Sequence, residues 1–152
     1  MAVAEEVIAI NRADASRKGL ALSLKHPDID LPFVAISRTA LIQVLQNLVN
    51  NAIKFTDRGG VALDVQSDGK FVKIVIEDTG AGISPEDIPK LFKQFSQLEV
   101  FGSRPLSGTG LGLYLSAQLV ESFGGQMGLE SVVGVGSKFS VTLPFVDVEN
   151  KD

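Results

Sequence analysis

The chain of 152 residues is 45% hydrophobic and 21% charged, a balance that is typical of one folded globular domain. Its net charge of −4 disfavours a general nucleic-acid surface, and the absence of cysteine excludes disulfides and thiolate metal sites. We find no apolar run of membrane-spanning length and no signal peptide, which favours a cytoplasmic domain without direct membrane contact.

The sequence begins with a predicted helix and a predicted strand. Residues 2–17 show an amphipathic pattern with Val3, Val7 and Ile10 on the apolar side. Residues 20–24 alternate enough to suit a strand.

A second predicted helix has two chemically distinct faces. Ser37 is a suitable N-cap for it. Asn47, Asn51 and Lys54 lie at positions i, i+4 and i+7, so they share one narrow polar face. Amide oxygens suit Mg²⁺ and an ammonium group suits phosphate, although an ordinary solvated face has the same composition. The apolar stripe consists of Leu41, Leu45, Leu48, Ala52 and Phe55.

A predicted β-hairpin follows and leads into a glycine turn. Residues 61–66 and 71–77 are its strands, and the second strand ends at Asp78. An ionised carboxylate accepts hydrogen bonds only, so Asp78 could hold the exocyclic amine of adenine, or it could simply cap the chain. After this turn, Ser84 and Pro85 predict the start of a short helix.

The last third of the sequence predicts a loop, a helix and two strands. Residues 96–108 lack periodicity and form the predicted loop. A helix over residues 109–123 follows, and strands are predicted at residues 126–131 and 137–143. The glycines that open this helix favour phosphate binding there, but they match neither a Walker A loop nor a dinucleotide fingerprint. The residues expected to face inward from the helix are Leu111, Tyr114, Leu115 and Leu119.

Four stretches, in this order, resemble the ATP-binding domain of sensor histidine kinases, within the wider family of Bergerat-fold ATPases. They are L-I-Q-V-L-Q-N-L-V-N-N-A-I-K-F-T (41–56, the N box), E-D-T-G-A-G-I (77–83, the first glycine box), L-F-K-Q-F (91–95, the F box) and S-G-T-G-L-G-L (107–113, the second glycine box). The stretch G-V-G-S-K-F-S-V-T-L-P (134–144) resembles the final strand of that family.

The resemblance implies a two-layer α/β (α+β) sandwich, in which a mixed, mostly antiparallel five-stranded sheet carries about three helices on one face. One ATP-binding domain would cover residues 1–146 and a polar tail residues 147–152. The catalytic group would be Asn47, Asn51 and Lys54, with Asn51 as the Mg²⁺ ligand and Lys54 on phosphate. Phe55 would lie near the nucleotide.

The resemblance also implies how the nucleotide is held. Asp78 would bind adenine in a pocket that includes Gly80, Gly82 and Ile83. Phe92 and Phe95 would anchor a lid at residues 96–108, although Phe92, Phe95 and Phe139 could equally be core aromatics, the reading we prefer for Phe139. The second glycine box would close over the phosphates with Gly108, Thr109, Gly110, Leu111, Gly112 and Leu113.

The implied chemistry is transfer of the γ-phosphoryl group of Mg-ATP to a histidine on a separate phosphoacceptor domain, with a response regulator receiver domain downstream. The acceptor helices are absent, and His26 lies in a predicted turn before Pro27, so we expect a monomeric domain that does not phosphorylate itself. Lys138 stands where many relatives carry a small hydroxyl residue.

Three alternatives remain from the sequence. A Bergerat-fold ATP hydrolase is disfavoured because its relatives carry a glutamate at the position of Asn47, and an amide cannot act as a base. A protein-serine kinase of the anti-sigma type is disfavoured by the F box and the long loop. A non-catalytic nucleotide-binding module is disfavoured because all four boxes are intact.

Overall fold

One five-stranded sheet with helices packed on one face organises the described part of the chain, which comprises residues 2–25, 36–67, 70–91 and 111–144 of a computed structural model. Its elements are α1 (Ala2–Lys18), β1 (Ala21–Lys25), α2 (Arg38–Lys54), β2 (Gly60–Ser67), β3 (Phe71–Asp78), α3 (Ile88–Leu91), α4 (Leu111–Ser122), β4 (Gln126–Val132) and β5 (Gly136–Pro144).

The strands follow the order β1-β2-β3-β5-β4. β1 pairs in parallel with β2, and the other three pairings are antiparallel, so the sheet is mixed and mostly antiparallel as expected. Asp78, the last residue of β3, lies opposite Val61 of β2 and Ser137 of β5. The end of the central strand is therefore enclosed by neighbours on both sides.

The core lies between the sheet and α2. Ser37 caps this helix as predicted, because the Ala40 backbone N–H donates to its side-chain oxygen at 3.1 Å. Leu41, Leu45 and Leu48 of the predicted stripe are buried. Burial of this stripe holds one side of α2 on the sheet, so its opposite sides are available for polar groups.

Helix α1 carries a buried polar contact that its apolar pattern did not predict. Asn11 is only 1% exposed, and its side-chain amide donates to Gln46 Oε1 of α2 at 2.7 Å. The Gln46 amide donates back to Asn11 Oδ1 at 3.2 Å. Ile8 is buried and Ile10 is 50% exposed, so the prediction for Ile10 was wrong. The buried face of α1 therefore contains Asn11, with Ile8 in place of Ile10.

Helix α4 also differs from its prediction. Leu115 was expected to face inward but is 55% exposed, and the buried side chains include Leu113, Ala117 and Val120. Spacings of three and four residues define two possible stripes on a helix so rich in leucine, and the pattern alone does not choose between them. Packing against α2 and β4 selects the stripe that contains Val120.

The helix predicted to start at Pro85 begins later, at Ile88. Residues 85–87 form a turn, in which the Asp87 and Ile88 N–H groups both donate to the Ser84 carbonyl. Phe92, Phe95, the loop at residues 96–108, His26 and the tail at residues 147–152 lie outside the described residues. Within the described ranges, no helix has both the length and the apolar character needed to cross a membrane.

We expect Asn11→Ala to lower the free energy of unfolding by about 1–3 kcal/mol, because it leaves the Gln46 amide without its buried partner. Urea denaturation monitored by circular dichroism measures this change. Arg17→Ala is the matched control on the same helix, since it removes only the exposed ion pair with Asp14 and should cost less than about 1 kcal/mol. Equal losses in the two variants would contradict a specific role for the amide pair.

Candidate functional site

The end of α2 lies directly against the glycine turn that follows β3. A Cβ atom placed on Gly80 would lie 2.4 Å from the carbonyl oxygen of Phe55 and 3.1 Å from Asp78 Oδ1. No side chain larger than hydrogen fits at that distance. The N box and the first glycine box are apart in sequence, because the β2–β3 hairpin lies between them. Glycine at position 80 therefore allows the two boxes to come into contact.

Asp78 is held in a buried but hydrogen-bonded position. Its side chain is 7% exposed, and the Gly80 backbone N–H donates to its Oδ1 at 2.8 Å. Burial raises the pKa of Asp78 above its ordinary value, and the neighbouring Glu77 raises it further, whereas the backbone N–H donors of Gly80 and Ser137 oppose the shift. A carboxylate has about four acceptor positions, so it can still accept from a ligand amine.

The rest of the first glycine box is docked on the β4–β5 hairpin. Gly82 has a φ of +77°, and a Cβ there would lie 2.2 Å from the Val132 carbonyl oxygen. The Ile83 N–H donates to Ser131 Oγ at 2.7 Å. Ser131 was missed in the sequence, where a serine in a strand gives no signal of this contact. The hairpin supports the turn and fixes where Ile83 lies.

Two residues of the polar face of α2 are half-buried and the third is exposed. Asn47 donates from its Nδ2 to Ser116 Oγ of α4 at 3.0 Å. Asn51 is half-buried one turn further along α2, and Lys54 is exposed at its last turn. Asn47 therefore connects the N box to the helix that follows the second glycine box. Ser116 carried no signal in the sequence, because the contact spans two distant helices.

The two residues after α2 complete its contact with the glycine turn. The half-buried Phe55 caps the helix through its backbone N–H, which donates to the Asn51 carbonyl at 3.1 Å. Thr56 is fully buried beside Gly80, and its hydroxyl has no hydrogen-bond partner among the described residues. Thr56 had no role assigned from the sequence.

The second glycine box and the F box are described only in part. Leu111 and Gly112 form the first turn of α4, and Leu113 is buried in the core. Phe95, Gly108, Thr109 and Gly110 lie outside the described residues.

Lys138 and Phe139 point to opposite faces of β5. Phe139 is a core residue, as preferred from the sequence. Lys138 lies opposite Glu77 on β3, with 4.0 Å between its Nζ and Glu77 Oε2. Lys138 therefore belongs to an exposed charged pair on the outer face of the sheet, which explains why a lysine is accommodated there.

The described residues contain no cluster of three or more histidine, cysteine, aspartate or glutamate side chains that could hold a metal ion. The polar face of α2 offers amide oxygens that a divalent cation could share with oxygens from a ligand. Mg²⁺ suits such a donor set, because it usually keeps several waters and binds through one or two protein oxygens plus substrate phosphates. Asn51, on the polar face of α2, is compatible with this arrangement.

A two-layer α/β sandwich thus carries a polar helix face and a buried carboxylate at a glycine turn, and the chain matches a known family. A family model described as histidine kinase-, DNA gyrase B- and HSP90-like ATPase covers residues 36–147. The chain is 44% identical to the virulence sensor protein BvgS of Bordetella bronchiseptica, over 97% of this chain and 12% of that protein. The chain thus spans only a small part of the length of this curated relative.

Solved structures agree with the sequence relationship. The fold matches the crystal structure of full-length ShkA in complex with AMPPNP, with a TM-score of 0.83 and 30% identity over 97% of this chain and 30% of that one. It also matches the nucleotide-free catalytic domain of histidine kinase ThkA, with a TM-score of 0.76 and 25% identity over 93% of this chain and 91% of that one.

The chain belongs to this ATPase family, and within it is the ATP-binding domain of a sensor histidine kinase. The resemblance drawn from the boxes is confirmed, and so is the two-layer fold that it implied.

We expect the affinity for ATP to fall on acidification as Asp78 takes up a proton, starting at a higher pH than for an ordinary aspartate. A carboxyl group whose pKa is raised by folding favours the folded state at low pH and disfavours it as pH rises through the folded pKa, so Asp78 itself does not promote acid unfolding. Binding titrations across pH, with circular dichroism as the check on folding, measure the effect.

Asp78→Asn is the matched variant for this pH series. It should weaken ATP binding roughly ten- to a hundredfold near neutral pH, because an amide donor would face the adenine amine. It should also remove most of the loss of affinity at low pH, because an amide does not take up a proton in this range. The phosphates of ATP also take up protons at low pH, but this affects binding to both proteins equally and does not alter the difference between them. If the affinity for ATP fell equally with acidification in both proteins, Asp78 would not be part of the binding site.

We expect Gly82→Ala to destabilise the domain more than Gly134→Ala. Both glycines have positive φ, +77° and +84°, so both substitutions carry a backbone penalty of about 1–2 kcal/mol. A Cβ on Gly82 also collides with the Val132 carbonyl, whereas a Cβ on Gly134 meets nothing within 4 Å. Urea denaturation of the two variants gives the difference, and equal losses would mean that the turn does not dock tightly on the hairpin.

Proposed function

We propose that this domain binds Mg-ATP and donates the γ-phosphoryl group to a histidine on a separate phosphoacceptor domain. The observation that carries the proposal is the polar face of α2, which bears two amides and a lysine beside the turn of the buried Asp78. These groups suit positioning of a nucleotide and its cation, and they lack the carboxylate that would activate water.

Each part of the nucleotide has a candidate partner. The Asp78 carboxylate accepts from the exocyclic amine of adenine, in a pocket formed with Gly80, Gly82 and Ile83. This assignment is supported by the burial and raised pKa of Asp78, since a desolvated acceptor discriminates strongly between ligand donors and acceptors. Phe55 packs beside the nucleoside, where it is half-buried at the end of α2.

The phosphates are assigned to the other end of the site. Lys54, exposed at the end of α2, supplies a positive charge to them. The second glycine box closes over them with the N-terminus of α4, whose N–H groups favour anions. The residues assigned to this closure are Gly108, Thr109, Gly110, Leu111, Gly112 and Leu113, with Phe95 anchoring the adjoining lid.

Asn51 supplies the protein oxygen for Mg²⁺, and Asn47 supports the phosphate and metal side. A bound Mg²⁺ would neutralise charge on the β- and γ-phosphate oxygens. The residues of the chain would hold the phosphates in line with the incoming nucleophile and exclude water from it. A histidine ring nitrogen then forms the new N–P bond as the bond between the γ-phosphorus and the β–γ bridging oxygen breaks, and ADP leaves.

Transfer is favoured over hydrolysis by the position of Asn47. Hydrolysis needs a base to take a proton from water, and an amide has no such capacity. A histidine nucleophile supplies its own lone pair, so positioning and charge stabilisation are sufficient.

The acceptor histidine is assigned to a dimerisation domain of the same parent kinase, with a response regulator receiver domain downstream. The curated relatives are several times longer than this chain, which fits a multidomain parent. We assign residues 1–146 to one ATP-binding domain that is monomeric alone and residues 147–152 to a polar tail.

Labelled-ATP transfer tests the function. The purified chain incubated with γ-labelled ATP and Mg²⁺ should remain unlabelled, because the sequence around His26 lacks the context of an acceptor helix. Addition of the acceptor-helix dimer of its parent kinase should produce acid-labile label on that dimer. Stoichiometric label on His26, or no label on the dimer while ATP binds, would contradict the proposal.

We expect Asn51→Ala to reduce transfer at least a hundredfold while leaving part of the nucleotide affinity, since loss of the protein oxygen misplaces the γ-phosphoryl group. Asn50→Ala is the matched control, because it changes the same residue type at the preceding position of α2, where the proposal assigns no role. Its transfer rate should stay within about twofold of wild type. If Asn51→Ala transferred at the wild-type rate, the metal ligand would lie elsewhere.

A further inference from the structure

The C-terminal end of α2 lacks the glycine cap with which many helices end. The last carbonyl groups of a helix have no partners within it, and a glycine in the left-handed conformation commonly lets the following N–H groups satisfy them. The C-cap of α2 is instead Phe55, with a φ of −100°, and the next glycine along the chain is Gly59. The carbonyls at this end of α2 therefore depend on donors from elsewhere.

Lys18, in the last turn of α1, supplies these donors. Its ammonium group donates to the Ile53 carbonyl at 2.8 Å and to the Lys54 carbonyl at 3.1 Å. The carboxylate of Asp57 lies further away, with 3.8 Å between its Oδ1 and Lys18 Nζ. A positive charge at the C-terminal end of a helix also interacts favourably with the helix dipole. Lys18 thus caps α2 from a different helix.

The peptide unit between Lys54 and Phe55 is held at both of its polar atoms. Its carbonyl oxygen accepts from Lys18, and its N–H donates to the Asn51 carbonyl at 3.1 Å. The next carbonyl along the chain is the one that a Cβ on Gly80 would approach to 2.4 Å. Helix ends fray when their terminal groups are not held, so the cap fixes the direction in which the Lys54 side chain leaves the helix.

We propose that Lys18 is a positioning residue of the nucleotide site, which holds the end of α2 so that Lys54 is directed to the phosphates. The proposal rests on the function proposed above and deepens it, because it adds a residue that acts through Lys54. Helix α1, which carries Lys18, lies outside the residues 36–147 that the family model covers. A residue beyond the matched region thus completes the N box.

Substitution of Lys18 separates its hydrogen bonds from the length of its side chain. Lys18→Met keeps an unbranched stem and removes the donors, whereas Lys18→Arg keeps a positive charge with donors. Arg17→Met is the matched control, because Arg17 is the other basic residue in the last turn of α1 and pairs with Asp14 of its own helix.

Binding of adenosine, ADP and ATP in the presence of Mg²⁺ is the first measurement. We expect Lys18→Met to weaken ATP binding about five- to tenfold and adenosine binding less than about twofold, with ADP between them, because Lys54 acts on the phosphates. Lys18→Arg should recover most of the affinity, and Arg17→Met should match wild type. Equal weakening for all three ligands, or no weakening for ATP, would overturn the assignment.

A double substitution tests whether Lys18 acts through Lys54. In a chain that already carries Lys54→Met, the further change Lys18→Met should weaken ATP binding less than about twofold, because the side chain that it positions is gone. If the two losses of affinity multiplied instead, Lys18 would act independently of Lys54 and the positioning role would be wrong.

Hydrogen exchange at the Phe55 backbone amide provides a readout that needs no ligand. This N–H belongs to the peptide unit that Lys18 holds, so its exchange should be faster in Lys18→Met than in wild type. Exchange should stay slow in Lys18→Arg and in Arg17→Met. An unchanged exchange rate in Lys18→Met would disprove the cap.

The two proposals fail in different ways. If the wild-type chain did not bind ATP, the proposed function would fail whatever the exchange rates show. If wild type bound ATP and Lys18→Met bound it equally well, only the positioning role would fail. Circular dichroism shows that each variant is folded under the assay conditions. If Lys18→Met did not fold, Lys18→Gln, which keeps a neutral donor, would replace it with the same expected order of losses among the three ligands.

Discussion

The close approach of α2 to the end of β3 is the constraint on which the rest of the site depends. At Gly80 the backbone of one element lies so near the other that a single methyl group would collide with the Phe55 carbonyl. Because this gap is closed, the end of α2 lies against the turn that follows Asp78, as the proposed site requires. A larger residue at Gly80 would separate them and leave two unrelated polar patches.

The candidate site contains two buried polar groups. Asp78 is a buried carboxylate whose pKa is raised mainly by desolvation, and Thr56 is a buried hydroxyl without a described partner. Burying polar groups without full compensation is unfavourable. If Asp78 binds adenine as proposed, its burial would also make it selective, because an unsatisfied ligand group there would be costly.

Helix α2 is held from both sides by amide contacts. Gln46 pairs with Asn11 of α1, and the adjacent Asn47 donates to Ser116 of α4. Apolar packing alone tolerates small rotations of a helix, whereas paired amides have directional partners. The two contacts therefore set the rotation of α2 and, through it, the direction of its polar face.

The sequence by itself determined the local elements and the chemistry that they carry. Alternation predicted the β2–β3 hairpin, Ser37 predicted the start of α2, and the spacing of Asn47, Asn51 and Lys54 placed them on one face, because these signals depend only on neighbours along the chain. The boxes, taken in order, were also sufficient to indicate the family.

The tertiary structure decided which face of each helix is buried and which distant residues meet. It chose the stripe of α4 with Val120 over the one with Leu115, and it placed Asn11 in the core. It also brought Ser116 to Asn47 and Ser131 to Ile83. These contacts join elements far apart in sequence, and no local pattern contains the relative position of two packed elements.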